Sequence, residues 1–247
     1  MPGDLAPSAA PATARTTTRP AAARVRKVTI PSPIGGLEGV YEFVEGTAPR
    51  ALAVVCHPHP LFAGTMHNKV VFRTAEAFQH AGFATLRFNF RGVGASPGKH
   101  DDGQGEQEDA RAAIRWLLEQ HPGTPLALSG FSFGGSVALN AGAADERVRL
   151  IWAVAPGVGR RDFSHLALCD KPKGVVQGTA DELCPVADLE RAFPAWADPK
   201  AKFLIDGADH FFNGKLREMQ ETLHAFLASS EAASFRAAIE ARAGQGP

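Results

Sequence analysis

Two hydrophobic patterns alternate along the chain and predict an α/β fold. Short apolar runs typical of strands occur at residues 25–30, 37–44, 51–56, 84–90, 126–128, 148–155, 174–177 and 202–205. Apolar residues recur at helical spacing in residues 68–80, 106–120, 186–196 and 214–228. This alternation predicts a mostly parallel, eight-stranded sheet with helices on both faces. The turn residues at 33–36 predict that the first two strands form an antiparallel hairpin.

The two ends of the chain differ in composition from this middle part. Residues 1–24 are rich in Ala, Pro, Thr and Arg, and their prolines exclude a long helix, so a disordered leader is predicted. Residues 25–228 are predicted to form one domain, which is large enough to enclose a hydrophobic core and to carry a catalytic site. Residues 229–247 are Ala-rich and charged, which predicts a helical or disordered tail.

Charge and cysteine content narrow the class of protein. Lys plus Arg and Asp plus Glu both number 26 among 247 residues, so no basic surplus indicates a nucleic-acid partner. No apolar run approaches the roughly 20 residues that a membrane span needs. The three cysteines, Cys56, Cys169 and Cys184, are odd in number and scattered, which favours a reducing compartment. A cytoplasmic protein is expected.

The pentapeptide at 130–134, Gly-Phe-Ser-Phe-Gly, lies between an apolar strand and a run of small residues typical of a helix. A serine on such a turn is held in a strained conformation with its hydroxyl exposed. Gly130 and Gly134 are expected to be required because the helix doubles back and leaves no room for Cβ atoms. A serine that only caps a helix needs no such glycines, so Ser132 is the predicted nucleophile.

A serine nucleophile needs a base and an acid that orients the base. In a parallel sheet, both are expected on loops that follow strands. Asp181 follows the strand at 174–177 and is the predicted acid, favoured over the adjacent Glu182. Asp162 is a reserve candidate for the acid. His210 follows the strand at 202–205 and is the predicted base.

Backbone N–H groups are expected to stabilise the oxyanion of an acyl-transfer reaction. One is predicted from Phe133, directly after the nucleophile. The second is expected from the loop after Cys56, where Pro58 and Pro60 carry no N–H. His59 and Leu61 remain as the two alternatives.

A metal site is the alternative interpretation of this loop, since His57, His59 and His67 occur close together. No carboxylate or cysteine lies at ligand spacing on the same loop, so a histidine that bonds neighbouring turns is favoured. No metal and no cofactor are predicted.

With these residues in place, the chain resembles the α/β-hydrolase superfamily over about residues 25–228. The order Ser132, Asp181, His210 is typical of that superfamily. Residues 87–96, Arg-Phe-Asn-Phe-Arg-Gly-Val-Gly-Ala-Ser, resemble the strand and turn common after its fourth strand. Arg91 in this stretch is expected to pair with an acid that holds the turn.

One subgroup is closer in detail. Residues 56–60, Cys-His-Pro-His-Pro, with Asn-Lys-Val-Val at 68–71, are similar to small bacterial serine hydrolases. These are related to dienelactone hydrolases and short prolyl-oligopeptidase-type domains. Dienelactone hydrolases proper use a cysteine nucleophile, where this chain has Ser132.

The segment where many of these enzymes insert a lid, here residues 156–173, is short enough to predict an open, lidless site. Phe62, Phe131 and Phe211 are expected to line it and to favour an apolar acyl or alcohol group. The resulting hypothesis is hydrolysis of a small carboxylic ester through an acyl-enzyme. A peptidase or thioesterase with the same triad is the alternative, and a non-catalytic binding protein is a third. Substrate and oligomeric state are left open.

Overall fold

A single mixed sheet of eight strands organises the computed structural model, which describes residues 23–244. The strand order is β1-β2-β4-β3-β5-β6-β7-β8. Strand β2 runs antiparallel to both of its neighbours, and the pairs from β4 through β8 are parallel. The strands are β1 (Ala23–Ser32), β2 (Gly35–Val44), β3 (Ala51–Cys56), β4 (Phe83–Phe88), β5 (Leu126–Phe131), β6 (Val148–Val154), β7 (Lys173–Gly178) and β8 (Lys200–Ile205).

Helices cover both faces of this sheet. They are α1 (Lys69–His80), α2 (Gln104–Gln120), α3 (Phe133–Ala144), α4 (Val186–Ala192), α5 (Leu216–Ala228) and α6 (Ala233–Ala243). Helices α2, α3 and α4 share one hydrophobic core with the sheet, and α1, α5 and α6 share the other. Alternate residues of β3 enter opposite cores, which explains why its sequence is apolar throughout.

The predicted eight-stranded α/β architecture and its opening hairpin are confirmed, with small differences at element ends. The helix predicted over 186–196 ends at Ala192, and a 3₁₀ turn, Phe193–Ala195, follows because Pro194 cannot continue it. The strand predicted over 84–90 ends at Phe88, where the chain leaves the sheet. No helix within residues 23–244 combines the length and apolar character that crossing a bilayer requires.

The segment between β6 and β7 contains no lid. Two 3₁₀ turns, Val158–Arg160 and Ser164–Leu168, fill it. The site above the carboxyl ends of the strands is therefore uncovered from this side, as the short segment predicts.

The end of the described chain folds back onto the domain. After a 3₁₀ turn at Ser230–Ala232, α6 buries Phe235 and Ile239 in the core shared with α1 and α5. The ring of Phe235 lies 6.0 Å from that of Phe83 at the start of β4. The described part of the predicted tail is thus helical. The predicted leader falls outside the described residues except for positions 23 and 24, which begin β1.

Truncating Phe235 should show how far α6 contributes to stability. Phe235→Ala leaves a cavity between α6 and the sheet, and we expect the free energy of unfolding to fall by about 3 kcal/mol. Urea denaturation measures this change. Glu240→Ala, on the exposed side of the same helix, is the control. Equal stabilities of the two variants would contradict this contribution of α6.

Candidate active site

Ser132 stands on a sharp turn between β5 and α3, with φ 56° and ψ −118°. A Cβ at Gly130 would lie 2.1 Å from the carbonyl oxygen of Gly134. A Cβ at Gly134 would lie 2.4 Å from the carbonyl oxygen of His57, at the end of β3. The expected need for glycine at both positions is confirmed. Gly130 admits the returning helix, whereas Gly134 lets that helix approach the next strand.

A continuous chain of hydrogen bonds joins three side chains at this edge of the sheet. His210 Nε2 lies 3.0 Å from Ser132 Oγ, and His210 Nδ1 lies 2.7 Å from Asp181 Oδ2. Asp181 and His210 lie on the loops after β7 and β8, and both are nearly fully buried. The structure therefore brings the three predicted residues together in the order acid, imidazole and hydroxyl.

The Asp181 carboxylate is held by more than the histidine. Its Oδ2 also accepts a hydrogen bond from Gln177 Nε2 at 2.8 Å. Its Oδ1 accepts from the backbone N–H groups of Leu183 and Cys184, at 2.9 and 2.8 Å. These donors fix the orientation of the carboxylate.

The other acids considered lie elsewhere. Glu182 is exposed to solvent, beside Asp181 on the same loop. Asp162 is also exposed, and its carboxylate accepts from the backbone N–H and the hydroxyl of Ser164. Asp181 is thus the only one of the three that bonds His210.

The aromatic residues predicted around the site divide into two groups. Phe62 and Phe211 are 81% and 40% exposed and line the cleft beside Ser132. Phe131 is fully buried in the core and is not among the cleft-lining residues. Its ring packs 4.9 Å from the His210 ring, so it supports the imidazole from the core side and does not face a ligand, contrary to the sequence-based expectation.

On the loop after β3, the two alternative oxyanion donors, the N–H groups of His59 and Leu61, lie in different surroundings. His59 caps the 3₁₀ turn Pro60–Phe62, and its Nδ1 accepts a hydrogen bond from the N–H of Leu61 at 3.2 Å. Leu61 is 70% exposed and does not line the cleft, whereas His59 does. Phe133 is the first residue of α3, so its N–H has no partner within the helix.

His57 connects this loop to the neighbouring strand. Its Nε2 accepts a hydrogen bond from the N–H of Phe90 at 3.0 Å, and its Nδ1 donates to the carbonyl of Pro58 at 2.6 Å. Burial lowers the pKa of His57 to about 4, which keeps the ring neutral as these two bonds require. The expectation that a histidine of this loop bonds a neighbouring turn is confirmed. Over residues 23–244, His57, His59 and His67 do not form one cluster of metal ligands.

Further polar contacts hold the segment after β4. Arg91 pairs with buried Asp109 on α2 at 2.9 Å, which confirms the predicted acid partner. Asn89 Oδ1 accepts from the N–H of Met66 at 2.9 Å, and Arg87 donates to the carbonyl of Met66 at the same distance. These bonds fix the end of the β3–α1 loop from the side of β4.

An open cleft of about 540 Å³ lies over Ser132. The residues that line it are Pro58, His59, Phe62, Asn68, Asp102, Ser132, Phe133, Ser136, Gly157, Arg160, Arg161, Leu183, Cys184, His210 and Phe211. Arg161 bonds Asp102 and lies over the ring of Phe133, 5.2 Å from its centre.

Sequence reasoning missed Cys184 as a member of this site. Cys184 lines the cleft together with Ser132, and burial and the nearby Asp181 carboxylate raise the pKa of its thiol to about 12. Its position three residues after Asp181 was the available signal, because a turn around a carboxylate returns the chain to it.

Comparison with known proteins agrees with this fold. The sequence profile of the alpha/beta hydrolase fold family matches residues 58–203. The chain belongs to this family. An uncharacterized protein of Rickettsia prowazekii is 37% identical over 205 residues, which are 79% of this chain and 85% of that protein.

Two solved structures are similar over most of their length. A lidless a/b serine hydrolase from Xanthomonas campestris is 35% identical with a TM-score of 0.76, over 82% of this chain and 93% of its own. An alpha-beta serine hydrolase homologue from Coxiella burnetii is 37% identical with a TM-score of 0.78, over 82% and 97%. The protein is thus an alpha/beta serine hydrolase homologue, and no lid is inserted between β6 and β7.

The neutral His57 ring predicts an acid-dependent loss of stability. Its pKa in the folded protein lies below the 6.5 of an unfolded chain, so the unfolded state binds the extra proton and stability falls from pH 6.5 towards 4. At pH 5 this single group costs about 2 kcal/mol. His57→Gln keeps an acceptor for Phe90 without titrating, so its free energy of unfolding should fall less between pH 7 and pH 5 in urea denaturation.

The control for this measurement is His67→Gln, since His67 is exposed and lies close by in sequence. A wild-type pH dependence in His57→Gln would show that His57 does not carry the effect.

Proposed function

We propose that this protein is a serine hydrolase that cleaves small carboxylic esters through an acyl-enzyme. The observation that supports this most is the hydrogen-bonded chain from Asp181 through His210 to the strained Ser132. A serine hydroxyl is a weak nucleophile at neutral pH and becomes effective when an adjacent base accepts its proton.

In the proposed mechanism, Ser132 Oγ attacks the ester carbonyl while His210 Nε2 takes the hydroxyl proton. His210 then gives this proton to the leaving alcohol, and the acyl group stays on Ser132. A water molecule, deprotonated by His210, attacks the acyl-enzyme and releases the acid. Asp181 accepts the hydrogen bond from His210 Nδ1, which fixes the tautomer and stabilises the imidazolium that forms in each step.

The oxyanion of each tetrahedral intermediate is proposed to bind the N–H groups of Phe133 and His59. Phe133 supplies a free N–H at the positive end of α3. His59 is favoured over Leu61 because it lines the cleft, whereas the N–H of Leu61 already bonds the His59 ring. The hydrogen bond between His57 and Phe90 holds the loop in this position.

The cleft supports a small substrate with an apolar part. Phe62, Phe133, Leu183 and Phe211 provide its apolar surface, and no lid between β6 and β7 limits entry. Thioesters and aminoacyl amides share the acylation step with esters. Rates on these three substrate classes therefore separate an esterase from a thioesterase and a peptidase.

Removing the Ser132 hydroxyl should abolish turnover. We expect Ser132→Ala to lower kcat on a short p-nitrophenyl ester by about 10³-fold or more, because no nucleophile remains. The assay is run with esters, thioesters and aminoacyl amides, and with a fluorophosphonate probe that labels wild type only. Ser129→Ala is the matched control, since its buried hydroxyl has no hydrogen-bond partner within residues 23–244. Near-wild-type turnover in Ser132→Ala would refute the assignment.

The second oxyanion donor can be tested by removing a single N–H. The φ of His59 is −54°, close to the angle that proline requires. His59→Ala removes the ring alone, and His59→Pro removes the ring and the N–H. We expect kcat of the proline variant to be about 10²-fold below that of the alanine variant.

Leu61→Pro removes the competing donor in the same way and should have the smaller effect. If Leu61→Pro instead lost activity while His59→Pro matched His59→Ala, Leu61 would be the donor.

A further inference from the structure

We propose that the cleft over Ser132 selects esters that carry a carboxylate group, which the guanidinium of Arg160 binds, with the hydroxyl of Ser136 as a second hydrogen-bond donor to the substrate. Both residues line the cleft. The planar N–H groups of an arginine match the two oxygens of a carboxylate. Selection among substrates rests on the proposed function, whereas binding of the carboxylate does not.

The cleft carries an excess of positive charge. The Asp, Glu, Lys and Arg residues that line it are Asp102, Arg160 and Arg161. The Asp102 carboxylate is already paired with Arg161 at 2.8 Å. One cation, Arg160, is therefore left for a ligand. A single excess charge matches a carboxylate better than a phosphate monoester, which carries about two negative charges.

Arg160 is held at the cleft with hydrogen-bond donors to spare. It ends the 3₁₀ turn after β6, and its Nη2 donates to the carbonyl of Leu183 at 3.1 Å. A guanidinium has five N–H donors, and within residues 23–244 no carboxylate lies at ion-pair distance from this one. Asp188 lies against Gly159, next to Arg160 in the chain, but it pairs with Arg191 at 3.1 Å.

Ser136 supplies a second polar group in the cleft, one helical turn after Ser132 on α3. It is only 2% exposed, lines the cleft, and its hydroxyl has no hydrogen-bond partner within residues 23–244. Gly157 connects it to Arg160. A Cβ at Gly157 would stand 3.9 Å from Ser136 Oγ, and the backbone N–H of Arg160 donates to the Gly157 carbonyl at 3.2 Å. A buried hydroxyl without a partner costs free energy, which a hydrogen bond to a bound molecule recovers.

Two pairs of esters measure the preference for a charged substrate. Mono-p-nitrophenyl adipate and the p-nitrophenyl ester of adipic monoamide differ by a carboxylate against an amide on the acyl part. The pair 4-acetoxybenzoate and 4-acetoxybenzamide places the same difference on the alcohol part. We expect wild type to favour the charged member of at least one pair in kcat/KM. The pair that responds identifies the part of the substrate that lies at Arg160.

Arg160→Gln loses the charge and keeps a donor for the Leu183 carbonyl. The ratio of kcat/KM between charged and neutral esters should fall about tenfold, mainly through KM, because a charged hydrogen bond to the bound ester is lost. Arg160→Lys should retain part of the ratio, and added salt should reduce the wild-type ratio.

Arg149→Gln is the matched control, since Arg149 is exposed near the start of β6, whereas Arg160 follows the end of that strand. It makes the same change in net charge and should keep the wild-type ratio. The absence of a preference in both pairs, or an equal ratio in wild type and Arg160→Gln, would overturn the assignment of Arg160.

Ser136→Ala tests the second donor. We expect it to lower kcat/KM on the preferred ester about threefold through the loss of one hydrogen bond. Ser129→Ala again serves as the comparison, because its hydroxyl is buried in β5 and does not line the cleft. Equal rates in these two variants would contradict the role of Ser136.

Binding is tested separately on Ser132→Ala, which cannot form an acyl-enzyme. By calorimetry, the charged member of at least one pair should bind about tenfold more tightly than its neutral partner, and adding Arg160→Gln should remove the difference. Equal binding of charged and neutral esters would refute the carboxylate site. If wild type hydrolyses no ester, the proposed function fails, while this titration still decides whether Arg160 binds a carboxylate.

Discussion

The close approach of α3 to two strands is the constraint on which the rest of the site depends. At Gly130 the helix passes over the strand that precedes it, and at Gly134 it touches the backbone of β3. The second contact sets the distance between the serine turn and the loop that begins at His57. A side chain at either position would separate the hydroxyl from the loop N–H groups, and no later adjustment of side chains would restore that geometry.

Two buried histidines, His57 and His210, flank this turn, and they differ in the groups to which they are hydrogen-bonded. Both ring nitrogens of His57 are hydrogen-bonded to backbone groups, so this histidine connects the end of β3 to the segment after β4. His210 instead bonds the carboxylate of Asp181 and the hydroxyl of Ser132, the position that the proposed mechanism requires of a base. Residue type is the same at both positions, and the partners decide the chemistry.

The sequence was most informative where residue type alone determines position. Short apolar runs predicted the strands, and the loops after two of them, β7 and β8, contain Asp181 and His210. The direction of the Phe131 side chain could not be predicted from the sequence, because a strand buried on both faces shows no alternation of polar and apolar residues. The choice between His59 and Leu61 depends on backbone direction, which residue type does not encode. The position of Cys184 beside the catalytic-site candidates was not predicted, because it depends on hydrogen bonds around Asp181.

The two short turns between β6 and β7 have a kinetic consequence. An enzyme with a hinged cover must wait for that cover to open and close, and this step often limits turnover. Here the chain offers no such step between β6 and β7, so in the proposed enzyme ligands and water would reach the serine turn without waiting for a cover to move. In the proposed reaction, the bound substrate itself would then have to exclude water, which a molecule that covers the exposed rings of Phe62 and Phe211 would do.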